Sequence, residues 1–502
     1  MKHPLLAILL SIHLVPTAGM RAQDSTHTCI DYRLTAETAV GSGNYTALLL
    51  AANRHHTLST RPNTASMRGA LSVRHQLGQQ WRLEAAADAT VCLHADHQAY
   101  LQQCYANLIW RNAFHLEAGS REISHPLRHP LLSTGGFVNS TNAKPIPQIR
   151  IGTDGFWTVP HTKGWLQIDF DFGYGKFVDD NYREDAFREN SINRKYTKGI
   201  LYHQKHLYFR TNPEKRFFLT AGIDHAVQFG GTQYEYADEH TLIAKHKREN
   251  LRAFWEVILP LGDNQYFEND AMEDWVFGNH IGSMTIQVGY NIDSRHQLQA
   301  YVDDPFEDGS GMRKGNGWDG LYGLQYQNRA KAPQLLRGAV VEYLQTTNQS
   351  GPLHWDRGDY PEPIRSQITD LVTGNDEYYN HSFYDAYAHY GMTPGNPLIL
   401  SPRYNRDGSS SFRDNRVKAW SVAVNGEVGD RLSYLLKAVY REGWGTYYRP
   451  IYPKHNSFDA LLQAIYSRDP WQVAAAYAFD RGNTVGDCST FNLKIGYHGK
   501  IL

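Results

Sequence analysis

Arg216-Phe217-Phe218-Leu219-Thr220-Ala221-Gly222-Ile223-Asp224-His225-Ala226-Val227-Gln228-Phe229 is the stretch whose reading decides the fold. Phe217, Leu219, Ala221, Ile223, Val227 and Phe229 fall on one face, and Phe218, Thr220, Gly222, Asp224, Ala226 and Gln228 on the other. A period of two is a β-strand with one apolar and one mostly polar face. The strand is longer than the five or six residues usual in soluble proteins and close to the length that crosses a bilayer at a tilt. The turn Thr211-Asn212-Pro213-Glu214 and another long strand, Ile200 to Arg210, precede it. The rest of the chain repeats this unit of long strand, short turn, long strand and long loop.

Working outward, the same alternation predicts strands at Asn44–Asn53, Ser66–Gln76, Gln80–Val91, Gln98–Ile109, Asn112–Gly119, Pro147–Trp157 and Gly164–Lys176. After the opening hairpin they continue at His280–Asn291, Arg295–Asp303, Gly317–Asn328, Leu335–Thr346, Arg416–Val428, Arg431–Gly443, Ser457–Ser467, Trp471–Arg481 and Cys488–Gly499. The total is about eighteen, an even number within the range of bacterial outer-membrane barrels. Connections alternate. Leu77–Gln79, Trp110-Arg111, Pro160–Lys163, Ile292–Ser294, Ala330–Pro333, Gly429-Asp430 and Asp469-Pro470 are short. Ser120–Ile146, Phe177–Lys198, Gly230–Asn279, Asp304–Asn316, Thr347–Asn415 and Trp444–Asn456 are mostly long. Short turns on one side and long loops on the other describe an all-β transmembrane antiparallel barrel with its long loops outside the cell and both termini in the periplasm. A soluble sandwich or propeller has no reason to alternate this way. Loop segment His240–Leu259 has roughly helical spacing, so a short helix is expected there, and another is expected in Glu377–Gly391.

The composition agrees. Residues 1–22, with Lys2 and His3 ahead of the apolar run Leu5 to Val15 and a cleavage site near Ala22, read as a secretory signal peptide. Residues 23–42 read as a short polar periplasmic lead, and 43–502 as the barrel, with insertions at 230–279 and 347–415. Mean hydropathy is −0.54, as expected where only alternate residues face lipid. Aromatics reach 13 %, led by 32 Tyr, a supply suited to interfacial girdles. A net charge of −1 in 502 residues argues against a nucleic-acid partner. Four cysteines are too few for a disulfide scaffold; Cys92 and Cys104 are either cross-hairpin partners or two separate thiols.

Catalytic signatures are missing. The chain has no H-E-x-x-H, no G-x-S-x-G on a strand-turn-helix, and no phosphate-binding glycine loop. Asp303, Asp304, Glu307 and Asp308 form an acidic cluster, but without D-x-D-x-D-G spacing they read as a solvated loop rather than a calcium site. No enzyme activity, cofactor or metal is expected. The better signal lies in the longest loop, where Trp355, Asp356, Arg357, Asp376, Tyr378, Tyr379, Asn380 and Tyr384 combine aromatic rings with carboxylate, amide and guanidinium groups. Sugar rings stack on such aromatics, and their hydroxyls need such polar partners, so these residues are the candidate glycan site. The alternative is that the tyrosines pack the loop against the barrel rim.

The chain resembles the Wzi family of outer-membrane capsule assembly proteins, in the form found in Bacteroides-type bacteria. The motifs that carry the resemblance run along almost the whole chain. They are Leu50-Ala51-Ala52-Asn53-Arg54, Lys144-Pro145-Ile146-Pro147-Gln148-Ile149-Arg150-Ile151-Gly152, Tyr202-His203-Gln204-Lys205-His206-Leu207-Tyr208 and His225-Ala226-Val227-Gln228-Phe229-Gly230-Gly231. Further on come Trp318-Asp319-Gly320-Leu321-Tyr322-Gly323, Glu342-Tyr343-Leu344-Gln345-Thr346-Thr347-Asn348-Gln349-Ser350-Gly351, Tyr378-Tyr379-Asn380, Gly395-Asn396-Pro397-Leu398 and Trp444-Gly445-Thr446-Tyr447. The resemblance implies a monomeric outer-membrane lectin that holds capsular or another surface polysaccharide at the cell surface after export, in contact with outer-membrane lipid and the capsule export machinery. Proteobacterial members carry an N-terminal helical bundle that plugs the periplasmic end; this sequence has no room for one before its first strand. The rival function is a porin or solute transporter, and a hydrolase at the barrel rim is a third.

The opening hairpin admits two registers. Pairing Phe209 with Phe217 points Lys205 at lipid, whereas pairing Tyr208 with Phe217 points it inward. A midplane lysine costs about 2–4 kcal/mol. The second register is therefore expected, with Lys205, Thr220, Asp224 and Gln228 lining the lumen.

Overall fold

The computed structural model describes residues 28–237, 241–259, 277–307, 309–350 and 376–502. The wall strands are β1 (Thr28–Ser42), β2 (Thr64–Leu77), β3 (Trp81–Leu93), β4 (Ala99–Trp110), β5 (Phe114–Ser120), β6 (Gln148–Thr153, resuming at Trp157–Thr158), β7 (Leu166–Lys176), β8 (Leu201–Thr211) and β9 (Phe217–Phe229). They continue as β10 (Asn279–Asn291), β11 (His296–Phe306), β12 (Gly320–Asn328), β13 (Gly338–Gln345), β14 (Val417–Val428), β15 (Leu432–Gly445), β16 (Pro450–Arg468), β17 (Trp471–Gly482) and β18 (Cys488–Lys500). Each pairs antiparallel with its neighbours, and β1 pairs with both β2 and β18, so the eighteen-stranded wall closes without an edge. Among the described residues no helix is long and apolar enough to cross a membrane.

Alternation along each strand builds the two faces. On β9, Phe217 and Leu219 stand exposed on the outer face, while Phe218, Thr220 and Asp224 are buried inside. Aromatic side chains gather at the short-turn end: Trp81 beside Trp110 (6.2 Å), Phe114 beside Trp157 (5.2 Å), Phe217 beside Tyr290 (4.8 Å) and Trp471 beside Tyr497 (4.9 Å). This ring is the interfacial girdle of a membrane barrel.

Several expectations need correction. Thr28–Ser42 is not a lead but the closing strand β1, whose Ile30, Tyr32, Leu34 and Ala36 alternate with Asp31, Arg33, Thr35 and Glu37. The expected first strand, Asn44–Asn53, is no strand. Its unalternating run Leu48–Ala51 is a helical turn, α1, whose Leu48, Leu50 and Ala51 are buried. One strand gained and one lost leave the number unchanged. The loop expected at Trp444–Asn456 is mostly strand, since β16 begins at Pro450. All four cysteines are free thiols, and Cys92 is buried while Cys104 is exposed.

The hairpin register also differs from both expected ones. Phe209 pairs with Ala221 and Lys205 with His225, which puts Lys205 on the outer face and not in the lumen. The cost argument assumed lipid at that position. Instead, chain from the loop after β9 covers it. Lys205 Nζ donates to the Ile258 carbonyl and lies 2.6 Å from His225 Nδ1. Asp224 and Gln228 are inside, where Asp224 meets His125 Nε2 at 2.9 Å and Gln228 Nε2 donates to the Ala386 carbonyl at 3.2 Å.

The lumen is filled from the long-loop end by three connections: residues 43–63, 121–147 and 376–416. Wall carboxylates hold them by accepting backbone N–H bonds, which buried amides require. Asp480 on β17 accepts from Leu48 N (2.9 Å), Glu342 on β13 from Thr134 N (2.7 Å), and Asp303 on β11 from Phe137 N (3.1 Å). The acidic cluster around Asp303 is thus not a solvated loop: Asp303 also accepts from Thr285 Oγ1 (2.7 Å), Glu307 accepts from Tyr379 N (2.9 Å), and Asp308 lies outside the described residues. On β15 the fully buried Arg441 donates to the Leu398 carbonyl (2.7 Å) and the Asp414 carboxylate (3.0 Å). Asp96, in the loop after β3, joins Ser59 (2.7 Å) to Arg403 (3.2 Å).

Candidate functional site

Above this filling, four segments from three loops meet around a cleft of about 400 Å³. Residues 192–195 lie between α2 (Asp180–Glu189) and the short strand Lys195–Lys198, which pairs with Thr232–Tyr236 and then Leu242–His246 in a small sheet. The other lining pieces come from residues 377–385, 409–413 and 446–449. Gln233 fixes the second piece to the sheet, its Nε2 donating to the Phe383 carbonyl (2.9 Å).

Two asparagines staple the third piece. Asn380 Nδ2 donates to the Phe412 carbonyl (3.0 Å) and its Oδ1 accepts from Phe412 N (2.8 Å). Asn193 Nδ2 donates to the Gly408 carbonyl (3.0 Å) and its Oδ1 accepts from Ser410 N (2.8 Å). Asp407 accepts from Ser409 N (3.0 Å), the local turn that Asp favours. The backbone of the 407–413 segment is thereby fixed, with Ser409, Ser410, Ser411 and Arg413 lining the cleft.

The cleft lining carries four cationic side chains, Arg194, Lys195, Arg413 and Arg449, against two carboxylates, Glu377 and Asp385. Lys195 donates to the Ser382 carbonyl and Arg413 pairs with Asp407 at 2.9 Å. Arg194 and Arg449 are exposed and have no ion-pair partner among the described residues. Asp385 sits buried at the cleft floor near Ser410 Oγ (3.4 Å), and burial, outweighing Lys195 and Arg183, pushes its carboxyl up to about 6. The chemistry of the lining is that of an anion and hydroxyl receptor: guanidinium groups, hydroxyls and an amide-braced floor.

A raised carboxyl has a definite sign. Asp385 contributes to loop stability below the ordinary carboxylate range, and that contribution is lost as pH rises through about 6. The same ionisation adds negative charge to the cleft. Affinity for an anionic ligand is therefore expected to fall severalfold between about pH 5 and pH 7.5, and Asp385→Asn is expected to flatten that part of the profile. Binding isotherms of both proteins across this range check it. An equally steep fall in the variant assigns the titration elsewhere.

The sequence-predicted residues divide. Asn380 lines the cleft as its staple. Tyr378, Tyr379 and Tyr384 are fully buried and pack the loop. Tyr379 packs its ring at a tilt against Phe137 (4.9 Å) and Phe412 (5.3 Å), and its hydroxyl accepts from Asn396 N (3.0 Å). It holds a φ of 71°, unusual for a non-glycine residue and fixed here by those contacts. Asp376 accepts from Ser350 Oγ (2.5 Å). Trp355, Asp356 and Arg357 lie outside the described residues. Sequence reasoning missed Arg194, Lys195, Arg413 and Arg449. For Arg413 the available signal was the hydroxyl-rich run Ser409-Ser410-Ser411-Phe412-Arg413; the other three cations lie on other loops.

No protein-family model matches the chain, and no curated protein matches its sequence. Solved structures do. One is Wzi, an outer-membrane protein involved in group 1 capsule assembly in Escherichia coli and described as a carbohydrate-binding β-barrel. It is 10 % identical, with a TM-score of 0.54 over 93 % of this chain and 83 % of that one. Others are OprD of Pseudomonas aeruginosa (10 %, TM-score 0.44, 95 % and 96 % covered) and OccAB2 of Acinetobacter baumannii (11 %, TM-score 0.47, 95 % and 98 % covered). At these identities the likeness is one of architecture and does not extend to membership of the Wzi family. The chain has the fold of an outer-membrane β-barrel.

Proposed function

We propose that the protein binds a surface polysaccharide, capsular or similar, at the cleft on its long-loop end, and that this end faces outward while both termini face the periplasm. One observation carries the reading. A cleft rich in guanidinium and hydroxyl groups sits on braced loops above a lumen filled by the protein's own chain. Braced polar groups suit a ligand whose hydroxyls must each find a partner, and surplus cations suit uronic-acid or other anionic sugars. The protein acts by holding the polymer and not by cleaving it, as a monomer working after the export machinery.

A filled lumen speaks against the porin reading. Deleting the gene and fractionating the surface polymer tests the function: polymer is expected to move from the cell-bound to the released fraction. Polymer that stays cell-bound to the wild-type extent contradicts the proposal.

A further inference from the structure

The segment that covers Lys205 stands outside the barrel. After β9 the chain returns as α3 (Leu251–Glu256), capped by the Asn250 side chain, which accepts from Ala253 N (3.0 Å). Its inner side meets the outer wall. Ala253 and Val257 are fully buried against Val227, Phe229 and Phe277. Phe254 packs on Tyr174 and on Phe229, both at 5.1 Å, and its carbonyl accepts from Tyr174 Oη at 2.6 Å.

The other side is also apolar. Leu251 and Trp255, four residues apart, share one stripe of the helix, and the exposed Leu259 follows just beyond its end. Leu251 is 83 % and Trp255 74 % exposed. The charges beside the stripe are paired laterally, Glu256 taking both Arg252 (2.6 Å) and Arg248 (2.5 Å). Among the described residues, this six-residue helix with apolar groups on both sides is bound on one side and bare on the other.

Its height on the wall says what meets the bare side. A strand rising about 3.3 Å per residue and tilted about 40° crosses an apolar band of about 25 Å in roughly ten residues. Counted from the exposed Phe217 in the short-turn girdle, the band ends near Val227, the residue that α3 covers. The stripe therefore lies at the far boundary between acyl chains and headgroups, continuous with the lipid-facing surface, where tryptophan is favoured. We infer that residues 248–259 form an interfacial anchor, with Leu251 and Trp255 inserted into the leaflet at the long-loop end.

The test places bimane on Trp255→Cys and, separately, on Leu251→Cys, in full-length protein carrying Cys29→Ser and Cys104→Ser. Cys92 and Cys488 are buried and stay unlabelled. In phosphatidylethanolamine–phosphatidylglycerol vesicles, a nitroxide near the top of the acyl chain is expected to quench both labels about threefold or more above aqueous iodide. A label on Tyr448→Cys in the cleft should show the reverse. Iodide dominating at 251 and 255 overturns the anchor. So does a label shielded from both quenchers that shows energy transfer between copies, which assigns the stripe to a second barrel.

Discussion

Replacing Arg441 by methionine is expected to open the barrel without unfolding it. The guanidinium is fully buried and joins the wall to two parts of the filling, the Leu398 carbonyl and the Asp414 carboxylate. Burial alone would raise the Asp414 carboxyl. The Arg441 charge, the His455 ring and the Gly445 N–H outweigh it and hold the group at about 2. Asp414 is therefore ionised at any ordinary pH, and its contribution is lost only as pH falls through about 2. Removing Arg441 strands that charge, and breaking a buried pair costs about 3–5 kcal/mol. The seated population then drops by about 10²–10⁴. The wall keeps its ladders, because Arg441→Met leaves the backbone pairing of β15 with β14 and β16 in place. Planar-bilayer recordings should show open-state conductance in the variant and little in the wild type. The heat-modifiable gel shift of a folded barrel should persist. Adding Asp414→Asn removes the stranded charge but keeps an acceptor for Gly445 N, so it should restore part of the closure. A silent Arg441→Met barrel removes this pair from the filling's anchorage.

The second large effect concerns binding. Arg194→Ala with Arg449→Ala removes two exposed guanidinium groups from the cleft, neither with an ion-pair partner among the described residues. A hydrogen bond to a charged group contributes about 1.5–3 kcal/mol. Losing two should weaken binding of a uronic-acid polysaccharide by about a hundredfold or more, with thermal stability within about 0.5 kcal/mol of wild type. A neutral glucan should be far less affected. Equal affinity of variant and wild type for the acidic polymer places the ligand elsewhere. Tyr378→Ala with Tyr379→Ala is a poorer test. Both rings are fully buried, each truncation costs about 3–5 kcal/mol, and lost binding would report an unseated loop.

What the sequence discloses follows from the range of the contacts involved. Strand alternation is local, so the wall was legible in stretches such as Phe217–Phe229. The N-terminal strand is also legible locally: Ile30, Tyr32, Leu34 and Ala36 alternate cleanly, while Leu48-Leu49-Leu50 does not alternate at all. The filling was hidden. Its bonds join Leu48 to Asp480 and Ser133 to Glu342, pairs that no local pattern links. Lys205 was misplaced for the same reason, because its shelter is the Ile258 carbonyl, supplied by a loop the hairpin does not contain. The tyrosines of 378–384 have the composition of a sugar site, but composition does not tell a ring that stacks on a ligand from one that packs against Phe137. The cations that do line the cleft come from separate loops, which only the closed wall brings together.

The most direct measurement is a binding isotherm of the purified wild-type barrel against the surface polysaccharide isolated from its own cells. The account predicts saturable binding, weakened by Arg194→Ala with Arg449→Ala, from a barrel that passes little current. A barrel that shows no saturable binding and conducts steadily would contradict it.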